Sequence, residues 1–556
     1  MAKRRASDAF GDERQTKRIR APVTDRLSKL SDELILRVLS FLPLSDLIVS
    51  ERYDPRSLKT NAGDSQLWKA LYYNRFVRPR ASRIPGIRDS GIPADSLHFS
   101  SKLSRWLDDE SLVKRGKETN WKRQYKLRHN WSRGSCIVSE VPVAEQASIP
   151  PVLVQMHEST IYLADQTDGL RASSSKADRG MLSRMPLSDR GKGTGNSSPT
   201  ALAVDTSSGP ESTNVAICFQ DGSFSLYRLD HDTSAFSHQY THEPSSNGML
   251  TAVSISYPYL VTMTATQILS VYKFETQQDT ESENDILDPP RLLQSLHSHT
   301  VWPPLTLSIR PSASNILVSI AYSLPTYLSG WTVGIQEMRM TLSGEIVSTR
   351  LASAIDQHFR PLVSSIPSTS PSGTSTPTTP APFTYSEANQ IHSKPTSLSY
   401  SHPYLLVSHP DNTLTLYMVS STAESLSISP GSRLWGHTSS VSGAHVGGRG
   451  KAVSVSSRGD ELRVWELEGG FGSAASRRKL ASGALSVQIR PERRADMDCL
   501  AAVAARRDGF GLALDLEDGL DEIGVSRGWV GFDEENVVVL REKGCGGQAL
   551  MVYDFS

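Results

Sequence analysis

Arginine and histidine side chains recur in short polar turns along the sequence, and their chemistry suits the binding of anions. The turns read "FQDGS", "SHPDNT", "SSRGDE" and "ARRDGF". A guanidinium group can donate two parallel hydrogen bonds to one phosphate, so clustered arginines favour a phosphorylated peptide. The alternative is ordinary solvation of exposed turns, because Asp460 and Asp508 adjoin the arginines and can neutralise them. The candidate substrate-binding residues are Arg171, His409, Arg458, Arg506 and Arg507.

Motifs for covalent catalysis are absent from the sequence. It contains no G-x-x-x-x-G-K-[ST] phosphate loop, no H-E-x-x-H zinc motif and no G-x-S-x-G nucleophile elbow. The four cysteines lie far apart without a C-x-x-C pair, which argues against a disulfide framework or a zinc site. The glycine-rich stretch 444–453 precedes a predicted strand, so a hairpin turn explains it better than a phosphate cradle. We therefore expect a non-catalytic protein without cofactor or metal.

Short β-strands are the elements that must position these turns. The segments "TAVSISYPYLVTMTATQILSVYKF" (251–274) and "TSLSYSHPYLLVSHPDNTLTLYMV" (396–419) align without a gap, and looser copies of their ending recur at 221–229, 459–467 and 547–555. Repeated strands that cannot bury their own faces predict a radial arrangement, the β-propeller. Turns between the second and third strands of each blade share one rim, so we expect the arginines on one face.

One repeat resembles the WD family. In "LWGHTSSVSGAHVGGRGKAVSVSSRGDELRVWEL", Gly436-His437 lies at the usual distance before Trp465. Gly459 stands where the family has an aspartate, with Asp460 following, so we expect the family's network of histidine, serine, aspartate and tryptophan to be incomplete. The other copies are degenerate, and their number leaves seven or eight blades open. We expect "GSCIVSEV" to pair with the final "LMVYDF" and close the ring.

A short helical segment precedes the β-rich part. Leu34, Val38 and Leu42 recur at helical spacing, and Ile35 and Leu39 form the adjoining row, so an amphipathic helix is predicted. With two further apolar pieces it makes a module of about fifty residues, too small for a large core. Its apolar stripe either packs on the rest of the chain or binds a partner.

The same segment resembles the F-box between Leu30 and Tyr72. A glutamate, a leucine/isoleucine ladder that ends in a phenylalanine-leucine pair, an aspartate-leucine pair and a leucine-tryptophan pair occur in the family's order. Ser31 replaces the family's proline, and Pro55 and Gly63 interrupt its third helix, so contacts from that segment are the least secure. The resemblance implies a Skp-type adaptor as partner, with about half of the matched positions touching it. These positions are Leu30, Leu34, Ile35, Val38, Leu39, Leu42, Pro43, Leu47, Leu67 and Trp68.

Charge and composition argue against two further classes of partner, nucleic acids and membranes. The formal net charge is zero and no apolar run approaches about 18 residues, so neither nucleic acid nor membrane is expected as a partner. Two basic clusters in residues 3–20 resemble a bipartite nuclear import signal, although a solvated basic tail would look the same. We expect an intracellular protein in nucleus and cytoplasm.

The predicted fold is a small all-α F-box module followed by an all-β propeller of degenerate WD-like repeats. Trp121 and Tyr125 lie among basic residues in the connector; packing explains them better than nucleic-acid stacking. The predicted boundaries are a disordered basic tail at 1–25, the F-box at 26–76, a helical connector at 77–132 and the propeller at 133–556. Disordered inserts are expected near 172–200, 275–290 and 363–386, because they contain little to bury.

Both resemblances together imply a function. An F-box joined to a WD-like propeller resembles the substrate-recognition subunits of SCF-type cullin ubiquitin ligases, in which the F-box binds the adaptor and the propeller binds the substrate. The resemblance thus implies a Skp-type adaptor, a cullin and a protein substrate, which the arginines suggest is phosphorylated. The alternative is a nuclear propeller scaffold that acts without ubiquitination.

Overall fold

The protein is described by a computed structural model that divides into two compact units, one up to Tyr125 and one from Lys126. The described residues are 30–52, 61–78, 119–176, 180–187, 197–207, 209, 211–275, 287–298, 300–326, 330–354, 393–422, 424–447, 450–459, 461–467, 478–479, 482–491, 529–542 and 546–556.

The first unit is helical. Acidic residues occupy the first turn of its first helix, where the helix dipole favours them, and the Asp64 side chain caps the third helix by accepting from Gln66 N–H at 2.8 Å. The fourth helix contributes its first five residues to this unit. The helices are α1 (Asp32–Leu39), α2 (Leu44–Arg52), α3 (Ser65–Tyr72), which continues as a π-helical turn (Tyr73–Val77), and α4 (Trp121–Arg133).

Aromatic side chains form much of the core of the helical unit. The ring of Trp68 meets that of Tyr125 edge-on at 5.5 Å between centroids, and Tyr72 lies 5.5 Å from Trp121. The indole of Trp68 also donates to the carbonyl of Ala62 at 2.8 Å. Trp121 and Tyr125 are both buried, so packing, the favoured interpretation of these connector aromatics, is confirmed.

The second unit is a β-propeller, with seven blades among the described residues. In six of these sheets the strands are antiparallel and follow one another along the chain, whereas the seventh sheet also takes in the first strand of the unit. This settles the choice between seven and eight blades. The first strand, β1 (Ser135–Ala144), belongs to the last blade.

Blade 1 comprises β2 (Leu153–His157), β3 (Thr160–Asp165), β4 (Gly169–Ser174) and β5 (Met181–Met185). Blade 2 comprises β6 (Pro199–Val204), β7 (Ser212–Phe219), β8 (Phe224–Asp230) and β9 (Ala235–His242). Blade 3 comprises β10 (Leu250–Ser256), β11 (Tyr259–Thr264), β12 (Ile268–Lys273) and β13 (Arg291–His297).

The remaining blades follow the same plan. Blade 4 comprises β14 (Trp302–Pro311), β15 (Asn315–Pro325), β16 (Trp331–Thr341) and β17 (Ile346–Ser353). Blade 5 comprises β18 (Ser397–Ser401), β19 (Tyr404–Ser408) and β20 (Thr413–Ser421), with β21 (Leu426–Ile428) and β22 (Ser432–Trp435) both paired to β20. Blade 6 comprises β23 (Val441–Val446), β24 (Lys451–Ser456), β25 (Leu462–Glu466) and β26 (Ser486–Gln488). Blade 7 comprises β28 (Val530–Phe532), β29 (Asn536–Glu542), β30 (Gln548–Asp554) and β1, and β27 (Arg490–Pro491) adds a short parallel pairing to β1.

The ring closes through the two ends of the propeller sequence. Strand β1 pairs antiparallel with β30, so that Val138 lies opposite Tyr553. Just before β1, Trp131 stacks on Phe555 with their ring centroids 4.0 Å apart. The predicted closure is therefore confirmed, and it removes two open sheet edges.

The internal repeat is also confirmed at the level of strands. Segment 251–274 supplies β10 to β12, and segment 396–419 supplies β18, β19 and most of β20. Their Pro-Tyr pairs occupy the same turn, between the first and second strands of blades 3 and 5. Apolar side chains of neighbouring blades then pack between the sheets, as Val261 of blade 3 and Val318 of blade 4 do in one shared cluster.

The predicted inserts are only partly described. Strand β5 lies inside the insert expected near 172–200, so the expectation of disorder is wrong for Met181–Met185, which pair with β4. Most of 275–290, all of 363–386 and the basic clusters of residues 3–20 lie outside the described residues. In the part of the chain that is described, no helix has the length and apolar character to span a membrane.

Candidate protein-binding surfaces

Helix α1 carries two rows of apolar side chains, one buried and one exposed. Ile35 and Leu39 are buried, whereas Leu34 and Val38 are 54% and 48% exposed. The members of each row are four residues apart, so each row lies along one side of the helix. One row therefore builds the core, and the other is available to a partner.

The ten residues predicted to bind an adaptor divide in the same way. Five of the ten are buried, and the expectation that about half of them contact an adaptor stays a prediction. Leu30, Leu34, Val38 and Pro43 are exposed, Leu42 is half-buried, and Ile35, Leu39, Leu47, Leu67 and Trp68 are buried.

The ten predicted adaptor-binding positions omit one exposed aromatic residue, the phenylalanine of the phenylalanine-leucine pair. Phe41, directly after α1, is 72% exposed, and the guanidinium of Arg37 lies 4.9 Å above its ring. Its spacing of seven residues from Leu34 continues the exposed row, and that spacing was the available signal. Exposed apolar side chains on one side of a short helix and in the turn that follows it are typical of a binding surface for an apolar partner.

The polar turns of the propeller share a local design. In blade 2 the Asp221 carboxylate accepts from the backbone N–H and hydroxyl of Ser223 at 3.0 and 2.6 Å, and in blade 5 Asp411 does the same with Thr413 at 2.9 and 2.6 Å. These bonds satisfy turn donors locally. The aspartates in such turns therefore have structural partners.

The predicted ligand His409 is buried, and this corrects its assignment to an exposed rim. Its side chain is 1% exposed, and its Nε2 forms a 2.8 Å hydrogen bond with the hydroxyl of Thr415. Burial lowers the pKa of His409 to about 4. The Asp411 carboxylate raises this pKa to a smaller extent, and the Arg433 guanidinium adds to the lowering. At neutral pH the imidazole is an uncharged core group.

The prediction that Arg171 lies on the exposed rim and binds substrate is also wrong. It is 5% exposed and lies on β4, where its Nη2 is 2.5 Å from the Asp165 carboxylate and its Nη1 is 3.3 Å from that of Asp168. Nη1 also donates to the carbonyl of Val143 at 2.9 Å. Because these partners occupy both nitrogens at the end of the guanidinium fork, Arg171 does not reach a substrate on the rim.

Arg458 is the predicted cation that the structure leaves exposed, in the turn between β24 and β25. The neighbouring Gly459 adopts φ +72°, a conformation that favours glycine, and its carbonyl accepts from Arg541 of blade 7. This bond fixes the turn that carries Arg458. Arg506 and Arg507 lie outside the described residues, so their clustering with Arg458 stays a prediction.

The WD-like network of blade 6 is formed in part, and its acidic residue is a glutamate. The indole of Trp465 donates to the hydroxyl of Ser454 at 2.8 Å, and that oxygen lies 2.6 Å from Nε2 of His437. Glu461 replaces the family's aspartate: its carboxylate accepts from Thr438 N–H at 2.7 Å and lies 3.5 Å from His437 Nδ1. The links from tryptophan to serine to histidine are therefore formed, whereas Glu461 stands at ion-pair distance from His437 without a hydrogen bond to it, so the expectation of an incomplete network is confirmed for this last link.

Hydrogen bonding also fixes the charge of Glu461. Burial raises its pKa, but the hydrogen bonds from Thr438 and Arg463, together with nearby His437, outweigh burial and hold the pKa below its usual value. Among the described residues no group of three or more histidine, cysteine, aspartate or glutamate side chains is arranged to hold a metal ion.

Comparison with known proteins identifies a matching family and several similar solved structures. The sequence model of the family described as "F-box protein pof12 beta-propeller" matches residues 136–556. No curated protein matches the chain. BamB from Moraxella catarrhalis is a similar solved structure, with 9% identity and a TM-score of 0.35 over 76% of this chain and 98% of that chain. The WD40 β-propeller domain of Doa1 has 11% identity and a TM-score of 0.34 over 75% of this chain and 96% of that chain. The Cps50 (Swd1) β-propeller domain of Myceliophteria thermophila has 10% identity and a TM-score of 0.36 over 75% of this chain and 98% of that chain.

Proposed function

Because the chain belongs to the F-box protein pof12 β-propeller family over residues 136–556, we propose that it is a non-catalytic substrate receptor of an SCF-type ubiquitin ligase. The helical module is then an F-box that binds a Skp-type adaptor and, through it, a cullin. The propeller binds the protein to be ubiquitinated. Such a receptor accelerates ubiquitination by holding the substrate near the catalytic subunits.

The observation that carries this proposal is the exposed apolar row of α1. A folded helix gains nothing from exposing Leu34, Val38 and Phe41 to water, since burying each such side chain is worth about 1.5–3 kcal/mol. A complementary apolar groove on an adaptor would recover that free energy. The buried row beneath it, Ile35 and Leu39, keeps the helix in place without the adaptor.

The exposed turn at Arg458 supports a substrate site on the propeller rim. Its guanidinium lies on a turn fixed by the Arg541 bond, so it is held ready for an anionic group of the substrate. We expect Arg506 and Arg507 to join it. Phosphatase treatment of a captured substrate tests this directly: capture that persists unchanged would exclude phosphate reading by this rim.

Charge substitution on the exposed row tests the adaptor contact. The double variant Leu34→Asp, Val38→Asp should lose at least about a hundredfold in affinity for a purified Skp-type adaptor, because two apolar contacts would be replaced by desolvated charges. Both positions are half-exposed, so we expect a circular-dichroism spectrum and melting temperature close to wild type. The matched control is Ile149→Asp, an exposed apolar residue on the propeller.

Co-purification separates this function from its alternative. A receptor should bring down the adaptor and a cullin, and the double variant should lose both. A nuclear scaffold that acts without ubiquitination would bring down a stable assembly without them. Undiminished adaptor binding by the folded double variant would show that α1 is not the adaptor surface.

A further inference from the structure

The outer strand of blade 4 exposes an apolar stripe. Val347 and Leu351 on β17 are 57% and 62% exposed, and Ile346 and Thr349 are exposed beside them. A β-bulge lies at the start of this strand: Ser348 pairs with Arg339 and Ile346 with Met340, which leaves Val347 as the extra residue. A bulge places two successive side chains on one face, which accounts for the exposure of both Ile346 and Val347.

This strand is also an edge. In the described part of the chain, the backbone of β17 pairs with β16 and with no other strand. Natural edge strands are protected by outward charges or prolines, by bulges and by inward-pointing charges. Strand β17 has the bulge and an inward-pointing charge, since Arg350 is mostly buried, ion-paired with Glu337 at 3.3 Å and bonded to the carbonyl of Thr422, but its exposed positions Val347, Thr349 and Leu351 carry neither a charge nor a proline. Outer strands β5 and β13 also expose apolar side chains, Met181 and Leu292, but they present exposed Arg184 and Arg291 as well.

The sequence of β17 is complementary to itself. When two copies of "IVSTRLAS" run antiparallel about Thr349, Val347 of each copy lies opposite Leu351 of the other. Thr349 then faces its own counterpart, and Ser348 faces Arg350. Apolar β-branched and leucine pairs of this kind stabilise antiparallel strands, and a two-fold axis needs only one such patch.

We propose that β17 is a homodimerisation edge, through which a second copy of this chain extends the sheet of blade 4 across a two-fold axis at Thr349. The occupant is a second copy because the register about Thr349 satisfies both apolar positions at once and brings no unpaired charge together. A single eight-residue strand buries less than a standard protein interface. The dimer is therefore expected to be weak.

Sedimentation equilibrium of the full chain tests the dimer. Wild type should pass from monomer to dimer between about 1 and 200 µM, and Leu351→Lys should shift the midpoint upward at least about tenfold by placing like charges at both ends of the pairing. The matched control Met181→Lys, at an exposed apolar position on the outer strand of blade 1, should behave as wild type. A wild-type chain that stays monomeric throughout this range would overturn the proposal.

A cysteine at the two-fold axis tests the register. Thr349→Cys should form a disulfide-linked dimer on mild oxidation, because the introduced thiol would face its own counterpart in the second copy. Ser343→Cys, in the exposed turn before β17, should not form one. Equal cross-linking of both variants, or linkage of position 349 to a different polypeptide in cells, would refute the two-fold pairing. Neither variant touches α1, so adaptor binding reports separately on the proposed receptor function.

Discussion

Buried charge is the dominant feature of the propeller at the scale of single residues. Arg171 and Asp165 form an ion pair that is almost fully removed from water, and Arg171 also serves Asp168 and the Val143 carbonyl. Removing one member of a buried pair leaves the other without compensation, which costs more than the pair itself contributes. Arg171 is thus a structural residue, whereas the exposed Arg458 can act in binding.

Substitution of the two arginines should separate these roles. Arg171→Gln should lower the free energy of unfolding by about 3–5 kcal/mol, because Asp165 would stay buried without its cation. Arg458→Gln should change stability by less than about 0.5 kcal/mol and affect substrate capture instead. Urea denaturation followed by tryptophan fluorescence measures both. Equal stability of the two variants would contradict the assignment of Arg171 to the core.

Buried His409 makes the fold sensitive to acid. Its pKa falls from an ordinary value of 6.5 to about 4, because burial disfavours the charged imidazole. Between pH 6.5 and 4 the unfolded chain binds a proton at this histidine and the folded chain does not, so the free energy of unfolding falls as the pH is lowered through this range. The full stability is present above pH 6.5, and the total loss on acidification is about 3 kcal/mol. Melting temperatures of wild type and His409→Gln should converge over this window. The control His297→Gln alters an exposed histidine and should leave the wild-type pH profile intact.

At the scale of elements, blade 6 shows how a network ties three parts of one sheet together. Ser454 on β24 is bonded to Trp465 on β25 and to His437 in the loop before β23. Ser454→Ala should destabilise the protein by about 2–4 kcal/mol, because two buried polar groups lose their shared partner. Thermal unfolding checks this value. A loss below about 0.5 kcal/mol would mean that water replaces the hydroxyl and that the network is not structural.

The sequence predicted elements better than side-chain environments. The gapless alignment of 251–274 with 396–419 identified corresponding strands of two blades, since alternating apolar residues directly reflect the two faces of a sheet. Burial of Arg171 was not predictable, because a "DGLRAS" turn reads the same whether its arginine points out or back across β3. Glu461 was missed for a related reason: family spacing pointed to Gly459, while side-chain length lets a glutamate two positions later reach the same donors.

At the scale of the whole molecule, the β1–β30 pairing holds the propeller as a ring. Glu140 and Met551 are opposite one another in this pairing. A disulfide between Glu140→Cys and Met551→Cys would close a loop of about 400 residues and should stabilise the protein by up to about 5 kcal/mol. Melting with and without reductant measures the gain, and each single cysteine variant is the control. Failure of the two cysteines to oxidise would contradict the pairing of these two positions.

The same pairing can form only late in biosynthesis, because its two strands lie far apart in the sequence. Strand β1 leaves the ribosome about 400 residues before its partner β30, which at about 5–20 residues per second is an interval of roughly 20–80 s. During that time the helical module is already outside the exit tunnel, while β1 waits with its hydrogen-bonding groups unpaired. The helical module is therefore accessible to the proposed adaptor before the propeller is complete, and the unpaired edge of β1 is exposed to pairing with other strands throughout that interval.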